Sequence, residues 1–327
     1  AYIFINKFVR AHTRKLQKNH LIYKMFFMRK RNLLFIIPCC ITLASCKENS
    51  PFVKVTNMSM ISSDINNAFA PSKGNVKMLV VPIVLGGDKD SLGEWTTNKL
   101  QTVQNKYFGE ENSLKTYYDV ASFGQMNITG TVTDAIDMTN WNHETINADP
   151  SFQTLFNMIE ELANKVQNQY KDINWNEYDL NNDGFFDSIH IITNYKAEVW
   201  AEVLWPHMES IKRERPSQGL GVNVYSINSI LDINSATTAI HEQGHIFGLE
   251  DYYDYSNKVD YLGGADMQST DKFDWNSYSK MCMGWINPYV FKGSKNSAKI
   301  TLKAASINGD CLIIPANYDT WNGSAFD

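Results

Sequence analysis

Residues 241–251 read H-E-Q-G-H-I-F-G-L-E-D, and much of what the chain indicates about its function lies in this stretch. On a helix, His241 and His245 fall on the same face because they are four residues apart, close enough to share one metal ion. Glu242 follows the first histidine and would reach a water molecule at an open metal position, where it would act as a general base. The pattern therefore predicts a zinc helix with a catalytic carboxylate. The alternative is a surface helix with two incidental histidines.

The residues that follow this pattern predict a third ligand. Gly248 would let the chain turn out of the helix, since glycine adopts positive φ without steric cost. That turn would return Asp251 to the same metal ion, and zinc accepts carboxylate oxygen as well as histidine nitrogen. We therefore expect His241, His245 and Asp251 to hold the metal. A methionine, Met267, follows in the G-G-A-D-M-Q stretch at residues 263–268.

Hydrophobic patterning on both sides of this stretch alternates between strands and helices. Buried strands are predicted for residues 78–85 and 188–193, and an alternating strand for residues 126–132. Predicted helices span residues 90–108, 152–170 and 233–249, the last with Asn234 or Ser235 as its N-cap. After Pro288 short strands are expected, such as residues 298–302. This order indicates an α/β fold that ends in a β-rich segment.

The long zinc motif with a downstream methionine resembles the metzincins, and most closely the immune inhibitor A-like peptidases of family M6. Residues 241–254 match the form H-E-x-G-H-x-x-G-L-x-D-x-Y-D. Three further stretches are similar to that family, so that the resemblance covers about residues 76–315. They are the Y-Y and S-F-G segments within residues 114–124, the W-P-H triplet at residues 205–207, and M-G-W-I-N-P within residues 281–288.

The resemblance implies a zinc metalloendopeptidase. Its catalytic domain would span residues 76–290, with a mixed twisted sheet, the zinc helix below it and a smaller C-terminal subdomain. Residues 291–327 would begin a β-rich region that is truncated here. Most metzincins have a third histidine where this chain has Asp251, but M6-like members accept Asp there. Met267 would form the Met-turn beneath the zinc, and a polypeptide substrate would lie extended along a strand edge.

A second motif, D-L-N-N-D-G-F-F-D at residues 179–187, has oxygen-bearing side chains and a glycine for a sharp turn, which suits calcium. The candidate calcium ligands are Asp179, Asn181, Asp183 and Asp187. This is not an EF-hand, because the twelfth position is His190 rather than Glu and a strand is expected next. The alternative is an Asx-turn loop that binds no metal.

The N-terminal region has the order of a lipoprotein signal. Residues 28–31 are basic, and residues 33–44 form an apolar run shorter than the roughly 20 residues of a membrane-spanning helix. Residues 43–46, L-A-S-C, resemble the bacterial lipobox, in which Cys46 carries the lipid. We therefore interpret residues 1–45 as an upstream extension plus signal peptide and residues 46–75 as a linker. The expected location is the bacterial cell envelope, with Cys46 as membrane anchor. A short buried strand or helix is the alternative for the apolar run.

Charge and cysteine content narrow the function classes. Residues 1–47 contain ten Lys and Arg and no acidic residue, so residues 48–327 carry the other 20 basic residues against all 35 acidic ones. A body with a net charge of −15 argues against nucleic-acid binding, which needs clustered Lys and Arg. Cys282 and Cys311 remain after the signal segment, and both a disulfide and two separate buried thiols are compatible with the sequence.

The sequence leaves the roles of several histidines and tyrosines undecided. His143 and His190 are expected to be structural, and His207 is a candidate for the cleft. An oxyanion-stabilising tyrosine is expected among Tyr252, Tyr253, Tyr255 and Tyr278, without a choice between them. The competing functional hypothesis is an envelope lipoprotein that binds protein or glycan with a structural or inactive zinc site. A zinc hydrolase of non-peptide amides is equally compatible with the motif.

Overall fold

A computed structural model describes residues 50–55, 70–211, 214–256, 259–260, 262–270, 272–293 and 297–319. All of these residues belong to one compact unit. The predicted signal segment, including Cys46, lies outside the described residues. Within the described part of the chain, no helix combines the length and apolar character that crossing a bilayer requires.

Eleven strands and eight α-helices form the described chain. The strands are β1 (Phe52–Lys54), β2 (Gly74–Gly86), β3 (Met126–Val132), β4 (Ile136–Asn142), β5 (Ile189–Thr193), β6 (His207–Ser210), β7 (Val224–Ser229), β8 (Tyr253–Asp254), β9 (Val259–Asp260), β10 (Tyr289–Phe291) and β11 (Leu312–Ile313). The helices are α1 (Thr97–Phe108), α2 (Leu114–Ala121), α3 (His143–Asn147), α4 (Gln153–Gln169), α5 (Thr237–Ile246), α6 (Met267–Thr270), α7 (Ser277–Cys282) and α8 (Ala305–Asn308). Short 3₁₀ turns lie at Lys89–Ser91 and Trp175–Tyr178.

The main sheet has the strand order β3-β2-β5-β7-β6, with β4 pairing β2 beyond the end of β3. Its pairs are parallel except β6 with β7, which is antiparallel, so the sheet is mixed. The central strand β2 pairs Leu79 with Ile189 of β5. Residues 78–83 of β2 read M-L-V-V-P-I and are all buried. A continuous apolar run is typical of a strand that helices cover on both faces.

Two hydrophobic cores lie on the two faces of this sheet. One core contains buried residues of α1, α2 and α5, including Tyr107, Tyr118 and Ile240. The other contains the apolar face of α4, with Leu155 and Ile159 among its buried residues. The histidine-bearing helix α5 therefore packs against the face opposite to α4. The mixed α/β class predicted from the sequence is confirmed.

The remaining elements lie toward the C-terminus. A three-stranded sheet has the order β1-β10-β11, with β1 and β10 antiparallel and β10 and β11 parallel. β8 and β9 form a separate antiparallel pair. Cys282 and Cys311 are both buried and form no disulfide, so of the two states left open by the sequence the structure has separate thiols.

Three element boundaries differ from the predictions. The helix predicted from residue 90 begins at Thr97, because the Thr96 hydroxyl caps it by accepting the Lys99 backbone N–H at 3.3 Å. The helix predicted for residues 233–249 is limited to Thr237–Ile246, and its N-cap, Ala236, makes no side-chain cap bond. Residues 298–302 were expected to form a strand but have no regular structure, because no described strand pairs with them.

Candidate metal centre

The site is built around the C-terminal end of α5. Gly248 has a φ of 94°, and the backbone N–H of Leu249 donates to the Gly244 carbonyl at 3.0 Å. A residue with a Cβ is rarely found in this left-handed conformation, so glycine is the residue that lets the chain reverse here. The reversal brings Asp251 back beside the histidines of α5, as the sequence predicts.

Three ligand atoms converge at this point. The Nε2 atoms of His241 and His245 are 3.0 Å apart, and Asp251 Oδ1 lies 3.0 Å from the first and 3.5 Å from the second. A tetrahedral ion with bonds of about 2.0–2.1 Å holds its ligand atoms about 3.3 Å apart. The triangle of ligand atoms therefore has the size that one such ion requires. These three residues could hold a metal ion, and they are the one such His, Cys, Asp or Glu group among the residues the structure describes.

Backbone carbonyls fix the tautomer of both imidazoles. His241 Nδ1 lies 3.0 Å from the Met267 carbonyl oxygen, and His245 Nδ1 lies 2.7 Å from that of Leu249. A carbonyl only accepts, so each Nδ1 carries the proton and donates it, which leaves a lone pair on each Nε2. Asp251 Oδ1 is also buried and has no hydrogen-bond partner. Three candidate ligand atoms thus face one another, and a cation between them would be bound by all three.

Electrostatics in this group favour the charged form of the carboxylate. Burial raises the pKa of Asp251, but the neighbouring imidazoles of His241 and His245 outweigh it and hold the pKa well below its usual range. Burial lowers the pKa of His245, while the neighbouring carboxylates of Asp251 and Glu242 raise it, with a net increase. An ionised carboxylate is the form that binds a metal.

Glu242 is buried beside this group but is not one of its three members. After burial, its negative charge is among the causes that raise the pKa of Tyr253 and Tyr255, and it also raises the pKa of His245. Glu242 is therefore near enough to the candidate ligands to influence their charge.

Helix α6 contacts α5 through hydrogen bonds to His241. Besides the Met267 carbonyl, Gln268 Nε2 donates to the His241 carbonyl at 3.2 Å. A Cβ on Gly244 would lie only 2.4 Å from Gln268 Oε1, so the glycine between the histidines is needed for this close approach. The Met267 side chain is buried in the same core as α5. Its predicted role beneath a zinc ion remains a prediction, whereas the carbonyl contact with His241 is an interaction the sequence did not reveal.

A buried hydrogen-bond network of polar side chains connects α5 to the main sheet, and the sequence did not predict it. Gln243 Oε1 accepts from Ser188 Oγ at 2.6 Å and lies 2.9 Å from His190 Nε2. His190 Nδ1 in turn lies 3.2 Å from the Tyr107 hydroxyl. Burial lowers the pKa of His190 to about 4, so this imidazole is neutral near pH 7. This network joins α5 to β5 and α1. His190 therefore has a structural role, as expected. No sequence signal marks Gln243 as its centre.

Other predicted candidates lie away from the centre. His207 Nε2 is 3.0 Å from the Tyr225 hydroxyl, and its ring packs on Phe152 in the core on the other face of the sheet. His207 therefore lies on the sheet face opposite to α5, because Met208 packs in the core that contains α5 and successive strand residues point to opposite faces. His143 is buried and stacks on Tyr195 at 4.9 Å, as a structural histidine would.

The four candidate tyrosines separate into two groups. The hydroxyl of Tyr255 donates to Asp251 Oδ2, and its ring lies 5.2 Å from that of Tyr253. The hydroxyl of Tyr252 instead lies 2.9 Å from Ser279 Oγ, and the Tyr252 and Tyr278 rings are 6.4 Å apart. Tyr253 and Tyr255 are therefore the tyrosines beside the candidate ligands.

The loop at residues 179–187 forms mostly internal hydrogen bonds. Asp179 accepts from the backbone N–H groups of Asp183 and Gly184, each at 2.9 Å, and Asn181 Oδ1 accepts from Asp183 N–H at 3.0 Å. Asp187 Oδ2 accepts from the Leu180 N–H at 2.6 Å, but its Oδ1 is buried without a partner. Burial, and then the charges of nearby aspartates, raise the pKa of Asp187 to about 6. These are Asx-turn contacts, with one oxygen left unsatisfied.

No protein-family profile matches this chain, and no curated protein sequence matches it. The functional interpretation therefore depends on the chemistry of the site.

Proposed function

We propose that this chain is a zinc-dependent endopeptidase. The observation that carries the proposal is the convergence of two imidazole nitrogens and one carboxylate oxygen, all with lone pairs, beside the buried Glu242. Two nitrogens and one oxygen at tetrahedral spacing are the donors that zinc prefers, and three protein ligands leave one position open. An open position distinguishes a catalytic zinc site from a structural one, which is closed by four protein ligands.

Zinc bound by these residues supplies a Lewis acid whose open position takes a water molecule and polarises a substrate carbonyl. Glu242 is the general base in this proposal: its carboxylate takes a proton from the attacking water and then delivers it to the leaving amine nitrogen. His241, His245 and Asp251 act only as ligands. Peptide bonds of extracellular or envelope proteins are the proposed substrates.

The geometry of β6 supports a polypeptide substrate. β6 is the antiparallel strand at the end of the main sheet, and it packs against α5. Its outer edge faces no other described strand, so backbone N–H and C=O groups there are open to pairing. An extended peptide added to this edge would lie beside the ligand-bearing helix, with its main chain held by ladder hydrogen bonds.

Cleavage of casein by the chain from residue 47 onward tests this proposal. Zinc-loaded protein should cleave, a chelator should stop cleavage, and added zinc should restore it. Glu242→Gln should reduce the rate by about 10²–10⁴-fold, the usual contribution of a general base, while zinc stays bound. Full activity in a metal-replete Glu242→Gln variant would refute the role of Glu242. Zinc binding with no cleavage of any peptide would favour the alternative, an envelope lipoprotein that binds protein or glycan.

Calcium at residues 179–187 is a second proposed cofactor. Its support is Asp187 Oδ1, a buried oxygen with no partner, close enough to Asp179 and Asp183 that their charges raise the Asp187 pKa. A hard cation would satisfy that oxygen and reduce the repulsion between the carboxylates. The side chains that would supply its oxygen ligands are those of Asp179, Asn181, Asp183 and Asp187.

We also propose that a lipid on Cys46 anchors the chain to a bacterial membrane. One acyl-bearing cysteine after a signal peptide is the anchor that the sequence offers. Cys46→Ser should move the protein from the membrane fraction to the soluble fraction. A variant that is processed normally and still sediments with membranes would contradict the lipobox interpretation.

A further inference from the structure

The second oxygen of Asp251 has a partner that no motif indicates. Oδ1 faces the two imidazoles, while Oδ2 accepts a hydrogen bond from the Tyr255 hydroxyl. Tyr255 directly follows β8, four residues after Asp251. The two oxygens of one carboxylate thus have separate roles, one toward the ligand triangle and one toward the tyrosine.

Each of the three candidate ligands has an outer partner. The two histidines donate to the carbonyls of Met267 and Leu249, which the backbone supplies. The Gln268 amide nitrogen also lies 3.3 Å from His245 Nδ1. Outer partners of this kind set the orientation and basicity of metal ligands. At Asp251 the partner is the Tyr255 side chain, which a single substitution can remove without moving the backbone.

Tyr255 lies at the rim of the site rather than in the core. Its side chain is 58% exposed, whereas the Asp251 side chain is only 7% exposed. The ring of Tyr255 meets that of Tyr253 edge to face at 5.2 Å, which fixes its direction from one side. Loss of the hydroxyl alone would therefore leave the packing of the core unchanged.

We propose that Tyr255 is the positioning residue for the third metal ligand. Its hydroxyl donates to Asp251 Oδ2, so that Oδ1 is the oxygen that would bind the metal and the fourth position would stay open, as a catalytic site requires. Without this hydrogen bond, Oδ2 would be able to turn toward the metal and to occupy part of that position. The inference rests on the proposed metal site, but it concerns coordination and does not depend on which substrate is cleaved.

Tyr252 provides a matched control. It is adjacent to Asp251 in sequence, but its hydroxyl lies 2.9 Å from Ser279 Oγ instead of on the carboxylate. Tyr252→Phe and Tyr255→Phe remove the same atom from the same segment. Only the second change removes a hydrogen bond to a candidate ligand.

The test uses two measurements on the chain from residue 47 onward. Zinc affinity is measured by competition with a chromophoric chelator, and coordination number by the visible absorption of the Co²⁺-substituted protein. Tyr255→Phe should weaken zinc binding by about 10-fold, the lower end for loss of an outer partner. It should also reduce the visible Co²⁺ absorption, because five-coordinate Co²⁺ absorbs less than tetrahedral Co²⁺. Tyr252→Phe should match the parent in both.

Equal affinity and equal spectra for the two variants would overturn the positioning role. A parent chain that binds no zinc would overturn it together with the metal site. A parent that binds zinc but cleaves no peptide would refute the proposed peptidase alone, since neither measurement here needs turnover.

Discussion

The centre at α5 and the loop at residues 179–187 are both rich in ligand side chains, but their carboxylates have different partners. In the loop, Asp179 and Asn181 already accept backbone N–H groups, as they would without any metal. At α5, backbone carbonyls instead accept a hydrogen bond from Nδ1 of each imidazole, so that Nε2 of His241 and of His245 faces Asp251 Oδ1. The loop satisfies most of its polar groups by itself, whereas the α5 centre brings together three side-chain atoms that could hold a cation.

The difference shows what makes a cluster of ligands a metal site. Amino-acid composition does not distinguish the two regions, since each motif contains several acidic or histidine side chains. The decisive property is which ligand atoms the fold brings together. At α5 one carboxylate oxygen without a hydrogen-bond partner, Asp251 Oδ1, converges with two imidazole nitrogens from the helix before it. In the loop one oxygen, Asp187 Oδ1, is left over.

The largest change in zinc affinity is expected from Asp251→Ala. It removes a direct ligand, so zinc affinity should fall by at least about 100-fold, the upper end of what loss of an outer partner costs. Glu250→Ala is the matched control, because Glu250 is exposed and lies outside the ligand group. Competitive chelator titrations of both variants measure the difference. If Asp254→Ala loses the metal and Asp251→Ala keeps it, the third ligand is wrongly assigned.

Gly244→Ala tests whether the backbone arrangement at α5 is as tight as its hydrogen bonds indicate. The added methyl would lie 2.4 Å from Gln268 Oε1, and Gln268 is fully buried. Overpacking of this kind should lower the free energy of unfolding by about 1–3 kcal/mol. Chemical denaturation in a Gln268→Ala background is the control, where the cost of Gly244→Ala should shrink. The same cost in both backgrounds would show that the Gln268 contact is not responsible.

A smaller effect is expected in the loop, where pH should control stability through Asp187. Its pKa of about 6 in the folded protein exceeds the ordinary 3.8, so the folded state binds that proton more tightly. The resulting stabilisation is complete below about pH 4 and is lost as the pH rises through 6. With a chelator present, Asp187→Asn should therefore raise Tm at pH 7.5 and change it little at pH 4.

Calcium should reverse the sign of this Asp187 effect. Added calcium should raise Tm of the parent at pH 7.5 but not that of Asp187→Asn. The exposed Asp172→Asn is the control and should behave like the parent. A calcium response that is equal in Asp187→Asn and the parent would favour the metal-free Asx-turn loop.

The smallest effect is expected from His207→Gln. His207 contacts Tyr225 and Phe152 in the core on the sheet face opposite to α5, so zinc affinity should not change. His245→Gln, measured in the same chelator titration, is the positive control and should lose zinc. A loss of zinc in His207→Gln comparable to that in His245→Gln would contradict the placement of His207 away from the metal centre.

The sequence predicted the centre well because its spacing is local. Residues four apart on a helix share a face, and Gly248 marks where the helix must turn, so His241, His245 and Asp251 could be grouped before any tertiary contact was known. The buried strands β2 and β5 and the amphipathic helix α4 were predicted for the same reason, because their periodicity is contained in short windows.

Contacts between distant segments could not be predicted in this way. The Met267 carbonyl and the Gln243–His190–Tyr107 chain join residues between 26 and 83 positions apart, and no periodicity encodes such pairs. The orientation of His207 also depended on which face of β6 meets α4, a choice made by tertiary packing. Helix ends were misplaced where the expected cap residue formed other bonds, as at Ser235, whose Oγ accepts from Thr237 N–H at 3.2 Å.

X-ray absorption spectroscopy at the zinc edge, on protein loaded with one equivalent of zinc, would identify the ligands at α5. We expect two imidazole nitrogens and one carboxylate oxygen at about 2.0–2.2 Å, with the fourth position taken by a water oxygen. The imidazole scattering should disappear from the spectrum of a His241→Ala, His245→Ala double variant. A shell of oxygen atoms without imidazole scattering in the parent, or an unchanged spectrum in the double variant, would contradict the assignment of the metal centre to α5.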